Sequence, residues 1–365
     1  MKIRPLKNIH SFVVLILSVL SFPALAGISL HTEYHRPTDL FAIMDETALW
    51  YEGFNDTAYR EYWTDRFGWT EEDQTMADRY RGYRERTFDN SDQGDRSQRL
   101  EVDGIFSTRS SVSENADPLF RHFGSAETID AALSTFDEIA QPEDAQVLQE
   151  FYAHFRPGWE LLLAESAAFK DQVGPLRADL RTPKVAAHLS RIASFYKDTE
   201  TRAFRVRLVW WPPIDRTFAY IKGNSFLLYR HPERHAEETG RTEIVMHEVV
   251  HYISAHQPSA QKRELSAQFL EICPAEIRNL YHLLEEPLAV AWGQAAFTKY
   301  GRGLEPDPSE NWYRPPMPDV LGRLLWPHID EIYETEETIT DGIVPIAATY
   351  CARLLEIGDQ VKRQE

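Results

Sequence analysis

The chain has 365 residues and a formal net charge of −18 at pH 7, because 57 Asp and Glu outnumber 39 Lys and Arg. An excess of acid of this size repels phosphate backbones and anionic lipid surfaces, so nucleic acid is not expected as a partner. At this length the chain can bury a large core and would ordinarily divide into two domains.

The N-terminal segment has the pattern of a secretory signal peptide. Basic residues precede an apolar run over residues 11–22, and Ala24-Leu25-Ala26 has the small residues that a signal peptidase requires. The sequence therefore predicts residues 1–26 as a signal peptide cleaved after Ala26, and a periplasmic or secreted protein. A retained membrane anchor is the alternative. Because no second long apolar run follows, stable membrane insertion after cleavage is not expected.

Residues 27–180 are predicted to form a helical domain, whose role the sequence does not indicate. Thr70 followed by three acidic residues is typical of a helix start, since Thr can cap and the acids face the positive end of the helix dipole. Residues 90–113 are polar and predict a surface loop. Further helix starts are predicted at four prolines: Pro142, Pro157, Pro175 and Pro183.

Residues 181–365 are predicted to form a second domain, which opens with strands. Residues 205–211 are rich in β-formers and end at two prolines, while residues 218–221 and 225–229 flank a predicted turn at Lys222-Gly223-Asn224. Helical patterns then continue almost to the end of the chain. The order predicts an α+β fold, mostly α, with a small antiparallel sheet.

The helix predicted after the sheet carries Met246-His247-Glu248-Val249-Val250-His251 and must end by Pro258. Residues four apart share one face of a helix, so both imidazoles can bind one metal ion. Glu248 is then placed beside the metal, where it can accept a proton from water. We therefore predict His247 and His251 as zinc ligands and Glu248 as the catalytic base, with a pair of surface histidines as the alternative.

A catalytic zinc ion needs a third protein ligand and one open position. His256 is a poor candidate, because five residues after His251 it has rotated away from the metal face. Over about residues 205–295 the chain resembles the gluzincins, zinc metallopeptidases in which a second helix supplies a Glu within a Glu-x-x-Ala-like run. Glu286-Pro287-Leu288-Ala289 fits that pattern. The resemblance implies a zincin fold, one Zn²⁺ per chain with Glu286 as the third ligand, and an edge strand that pairs with a peptide substrate.

Glu285 is the alternative third ligand. Neighbouring helix residues point about 100° apart, so only one of the two glutamates can face the metal. Ala289 lies on the side of Glu286, where a small residue lets the motif helix approach. Glu285 shares its side with Leu288 and is expected to face a packing wall, without a part in the metal site.

Two further roles stay open at this point. Several gluzincins place an Asp after the small residue to orient a ligand His, whereas Val290 stands there in this chain, so the orienting group must come from elsewhere. A Tyr or His usually holds the oxyanion in such sites. The candidates are Tyr281, His282, Tyr300 and Tyr350.

The two cysteines, Cys273 and Cys351, either form a disulfide or remain buried thiols.

Together the patterns predict an exported zinc metallopeptidase acting on a peptide or protein substrate. A zinc amidase acting on cell-wall peptides and a non-catalytic zincin-like binding module are the alternatives.

Overall fold

The computed structural model describes residues 27–50, 57–88, 117–212, 217–233, 241–276 and 279–362. The predicted signal peptide and the predicted loop at residues 90–113 lie outside these ranges. Within them the chain is mostly helical with one small sheet, so the predicted α+β class is confirmed. In the same ranges no helix combines the length and the apolar character that crossing a bilayer needs.

Helices occupy most of the described chain. Their bounds in chain order are α1 Arg36–Ala48, α2 Ala58–Phe67, α3 Glu71–Thr87, α4 Pro118–Ser125, α5 Ile129–Ser134, α6 Pro142–His154, α7 Arg156–Glu165, α8 Phe169–Leu180, α9 Pro183–Phe195, α10 Arg241–Ala255, α11 Ser259–Ile272, α12 Pro316–Thr335 and α13 Ile343–Lys362. Between α11 and α12 runs one further helix, here called the glutamate helix. It consists of a π-helical turn Tyr281–Glu285, an α-helical stretch Glu286–Val290 and a π-helical stretch Ala291–Arg302.

The sheet is mixed, which corrects the predicted antiparallel arrangement. Its strands β1 Ile28–Glu33, β2 Arg202–Trp210, β3 Phe218–Lys222 and β4 Ser225–Arg230 lie in the order β1-β2-β4-β3. β1 and β4 both run parallel to β2, and only the β3–β4 hairpin is antiparallel. The sequence did not reveal β1, because a six-residue strand with several exposed positions has little apolar pattern of its own.

The predicted hairpin turn and the predicted helix cap at Thr70 are both confirmed. The predicted hairpin turn joins β3 to β4, and Gly223 adopts a φ of 56°, a left-handed conformation that glycine adopts without steric cost. Thr70 caps α3, accepting a hydrogen bond from the Asp73 N–H while the Asp73 carboxylate accepts one from the Thr70 N–H. This reciprocal pair is a capping box.

Three of the four prolines predicted to start helices do so, at the first turns of α6, α7 and α9. Pro175 instead lies inside α8, which begins at Phe169. A proline there cannot donate the helix hydrogen bond. The helix continues because Val173, Leu176 and Leu180 bury one apolar face, and that burial outweighs the lost bond.

The core crosses the predicted boundary between residues 180 and 181. Buried apolar residues from both sides form one contiguous cluster, and α1 packs on β2 while α10 packs on β3 and β4. The division into two domains stays a prediction, but the sheet combines a strand from the first segment with three from the second.

Cys273 and Cys351 form a disulfide, with their Cα atoms 5.9 Å apart, which settles the question that the sequence left open. The bond joins the residue after α11 to the middle of α13, and both cysteines are buried.

Asp39 ties α1 to the end of β2. One carboxylate oxygen accepts the N–H of Trp210 at 2.7 Å, and the other accepts the hydroxyl of Tyr34 at 3.1 Å. The side chain is fully buried, and burial raises the pKa of the Asp39 carboxyl to about 6, although the hydrogen bond from Trp210 opposes the shift. The folded state therefore binds this proton more tightly than the unfolded state does.

We predict that Asp39→Asn removes a pH-dependent part of the stability. The contribution of the protonated carboxyl is fully present below about pH 4 and is lost as the pH rises through about 6. In urea titrations, the free energy of unfolding of the native chain minus that of the variant should fall by up to about 3 kcal/mol between pH 4 and pH 7. A difference that does not change with pH would contradict this role.

Candidate metal centre

The motif helix α10 places its two histidines in the core. Every residue from Val245 to Ser254 is buried, so the helix is held by packing on all sides. His247 and His251 lie one turn apart and their Nε2 atoms are 3.0 Å apart. The predicted shared face is therefore confirmed. His256 points elsewhere, with Nδ1 2.8 Å from the carbonyl oxygen of Tyr252, as its rotation along the helix predicted.

Glu286 of the glutamate helix completes a cluster of three donors. Its Oε2 lies 3.2 Å from His247 Nε2, and its Oε1 lies 3.5 Å from His251 Nε2. One ligand atom from each of the three residues lies within 4.8 Å of the others, and all three residues are buried. The cluster could therefore hold a metal ion. Ligands about 2.0–2.1 Å from a tetrahedral ion are about 3.3 Å from each other, which matches these separations.

The charge state of Glu286 suits a metal ligand. Burial alone would raise the pKa of the Glu286 carboxyl, but the imidazoles of His251 and His247 lower it well below its ordinary value. The side chain therefore stays an anionic oxygen donor. Glu248, which follows His247 directly on α10, is also buried. The residues that the sequence assigned to the metal and to the base thus lie on two packed helices.

The group that orients His251 is Glu285, contrary to the expectation that it faces a packing wall. Its Oε1 lies 2.7 Å from His251 Nδ1 and also accepts the hydroxyl of Ser254 at 3.4 Å. A carboxylate at this nitrogen keeps the proton on Nδ1 and leaves the lone pair of Nε2 directed at the donor cluster. On His247 the corresponding atom, Nδ1, lies 3.4 Å from Gln294 Oε1.

The irregular geometry of the glutamate helix lets both adjacent glutamates reach one imidazole. The helix changes from π to α geometry between Glu285 and Glu286, directly before Pro287. Glu285 then meets the Nδ1 edge of His251 and Glu286 the Nε2 edge. The sequence did contain one indication of this role. Two adjacent acids lie inside an apolar run, and a buried charged side chain requires a partner.

The close approach of the two helices depends on Gly293. A methyl group at this position would lie 2.5 Å from both the Cα and the N of His247. Sequence reasoning gave the role of small contact residue to Ala289, which is buried, but the residue pressed against the first ligand is Gly293. Only a glycine allows this contact without displacing backbone.

Of the four residues considered for the oxyanion, the three with described side chains contact other residues or are exposed. Tyr300 donates to Asp330 at 2.8 Å, Tyr350 lies 2.9 Å from the Nε2 of His328, and His282 is exposed. The side chain of Tyr281 is outside the described part. The aromatic residue that contacts a histidine of the cluster is Tyr313, which no motif indicated; its ring centroid lies 5.0 Å from that of His247.

Gly293→Ala should separate the two helices and weaken metal binding. Because the added methyl meets backbone rather than a flexible side chain, we expect a loss of about 2 kcal/mol or more in the free energy of unfolding. Zn²⁺ affinity, measured by competition with a chelator, should fall at least about 10-fold. Gly358→Ala is the control, because it lies in α13 with no atom within 4 Å of the new methyl and should be neutral or slightly stabilising.

Glu285→Ala should weaken Zn²⁺ binding by about 10- to 100-fold, because it removes the acceptor that orients His251. Glu285→Gln should fall between that variant and the native chain, since the amide oxygen keeps the hydrogen bond and loses the charge. Glu271→Gln, on the exposed surface of α11, serves as the control. Native affinity in Glu285→Ala would show that the contact has no part in metal binding.

Comparison of the chain with protein-family models, with curated proteins and with solved structures finds no match.

Proposed function

We propose that the protein is an exported zinc-dependent hydrolase, and specifically a metallopeptidase of gluzincin type. The observation that carries the proposal is the convergence of His247, His251 and Glu286 from two helices, with a buried carboxyl group, Glu248, directly after the first histidine. Export rests on residues 1–26, which match a signal peptide.

The donor set supports zinc among the common metals. Two imidazole nitrogens and one carboxylate are the ligands of many catalytic zinc sites, which use three protein donors and keep a fourth position open. Magnesium and calcium prefer all-oxygen sites, and a structural zinc site usually has four protein ligands. A histidine that binds zinc is usually oriented by an acceptor at its other ring nitrogen, and both histidines have such a contact at Nδ1.

A zinc ion held there would polarise an amide carbonyl and lower the pKa of a water molecule. Glu248 accepts a proton from the attacking water as its oxygen bonds to the carbonyl carbon. The same carboxylic acid then donates that proton to the amide nitrogen as the C–N bond breaks. The two histidines keep their orientation throughout, because Gln294 contacts His247 and Glu285 contacts His251.

The sheet supports a peptide as the substrate class. Among the described strands β3 lies at an edge of the sheet, paired with β4, and α10 packs against it. An extended peptide can add to such an edge through main-chain hydrogen bonds. A zinc amidase acting on cell-wall peptides would use the same donors and the same base. A binding module without turnover would have no chemical use for Glu248.

Glu248→Gln tests whether the protein turns substrate over, and the peptides that the native protein cleaves distinguish a metallopeptidase from a cell-wall amidase. The purified native protein should carry about one zinc per chain and hydrolyse members of a peptide library that includes cell-wall stem peptides, and a chelator should abolish this activity. The variant should keep its zinc and its melting temperature but lose activity by at least about 10³-fold, because the amide cannot accept the proton.

Two histidine variants serve as controls for the metal site. His282→Ala, an exposed histidine near the glutamate pair, should keep native zinc content, whereas His251→Ala should lose it. Zinc binding without hydrolysis of any peptide would favour the binding module. Protein that binds no zinc would contradict the metal site itself.

A further inference from the structure

The residues of the donor cluster are all buried, with small differences in exposure. His251 is 0% exposed, Glu285 1% and Glu286 3%, whereas His247 and Glu248 keep 4% and 6% of their surface. The largest of these exposed fractions belong to the first histidine and to the residue that follows it.

Tyr313 contacts the first histidine of the cluster. Its ring stacks on the imidazole of His247 with an interplanar angle of 22°, and the residue is only partly buried. It belongs neither to α10 nor to the glutamate helix but to residues 303–315, here called the Tyr313 loop, which connects the glutamate helix to α12. Tyr313 therefore contacts a residue of the donor cluster and is not fully enclosed by the fold.

Hydrogen bonds to α12 and within the Tyr313 loop hold the loop in place. The Oδ1 of Asp319 accepts the N–H groups of Trp312 and Tyr313 at 2.8 and 2.9 Å, and this buried aspartate also pairs with Arg323 at 2.8 Å. The Trp312 indole donates to the carbonyl of Asp307 at 2.9 Å. The position of Tyr313 is therefore set by the fold before any ligand arrives.

We propose that Tyr313 is a specificity-determining residue that lines the substrate position beside the metal and favours a flat, apolar side chain next to the scissile amide. This inference rests on the proposed hydrolase function. A tyrosine ring offers a large apolar face and loses little conformational entropy when it binds a ligand, because its own position is already fixed. An aromatic group bound at the open position would pack against the part of the ring that His247 leaves uncovered.

Two small metal chelators test the proposal without turnover. Acetohydroxamate and phenylacetohydroxamate bind zinc through the same two oxygens and differ by one phenyl group. Calorimetry on the zinc-loaded protein should give an affinity about 3- to 10-fold higher for the phenyl compound. Tyr313→Ala should remove this preference and leave acetohydroxamate affinity within about 3-fold, whereas Tyr313→Phe should keep the preference.

The outcomes separate this inference from the proposed function. If the zinc-loaded native protein and Tyr313→Ala show the same ratio of affinities, Tyr313 does not determine specificity, although the metal site stands. If the native protein holds no zinc, the proposed function fails and the inference fails with it. Tyr350→Ala, a tyrosine that contacts His328 in another part of the fold, should keep the native ratio.

Discussion

The contact between Gly293 and the backbone of His247 is the constraint on which the rest of the site depends. It fixes how near the glutamate helix lies to α10, because backbone meets backbone with no side chain between them. At this distance one helix can supply Glu286 to both imidazoles, Glu285 to His251 and Gln294 to His247. A larger residue would move all three groups together. The geometry of the donor cluster is thus a property of one helix pair.

The site also concentrates negative charge in the core. Glu248, Glu285 and Glu286 are all buried, while the neighbouring imidazoles carry a positive charge only when protonated. Burying carboxylates costs several kcal/mol each unless cations or hydrogen bonds compensate. A divalent cation at the donor cluster would compensate most of this charge at once. Such compensation would allow two adjacent acids to be buried within an apolar run of the glutamate helix.

The sequence predicted those parts of the site that depend on helical spacing. His247, Glu248 and His251 follow from offsets along one helix, and Glu286 followed from the resemblance to a known pattern. The role of Glu285 could not be predicted, because it depends on a change from π to α geometry at the residue itself. Tyr313 and β1 were missed because their partners are distant in sequence: Tyr313 contacts His247, and β1 pairs with β2 across about 170 residues. The mixed character of the sheet was missed as well, because β2 pairs in parallel with β1 and with β4, and neither pairing joins strands that follow each other along the chain.

The disulfide places part of the donor cluster inside a closed ring of the chain and leaves the rest outside it. Cys273 and Cys351 close a covalent ring of the chain with a sequence separation of 78 residues, and this ring contains Glu285, Glu286, Gln294 and Tyr313. Both histidines lie outside it, on α10. Closing a ring of this size removes about 4.5 kcal/mol of chain entropy from the unfolded state in the loop-closure description. A bound metal would link Glu286 in the closed ring to the two histidines on α10. The disulfide and one metal ion would then together connect all the segments that carry the donors.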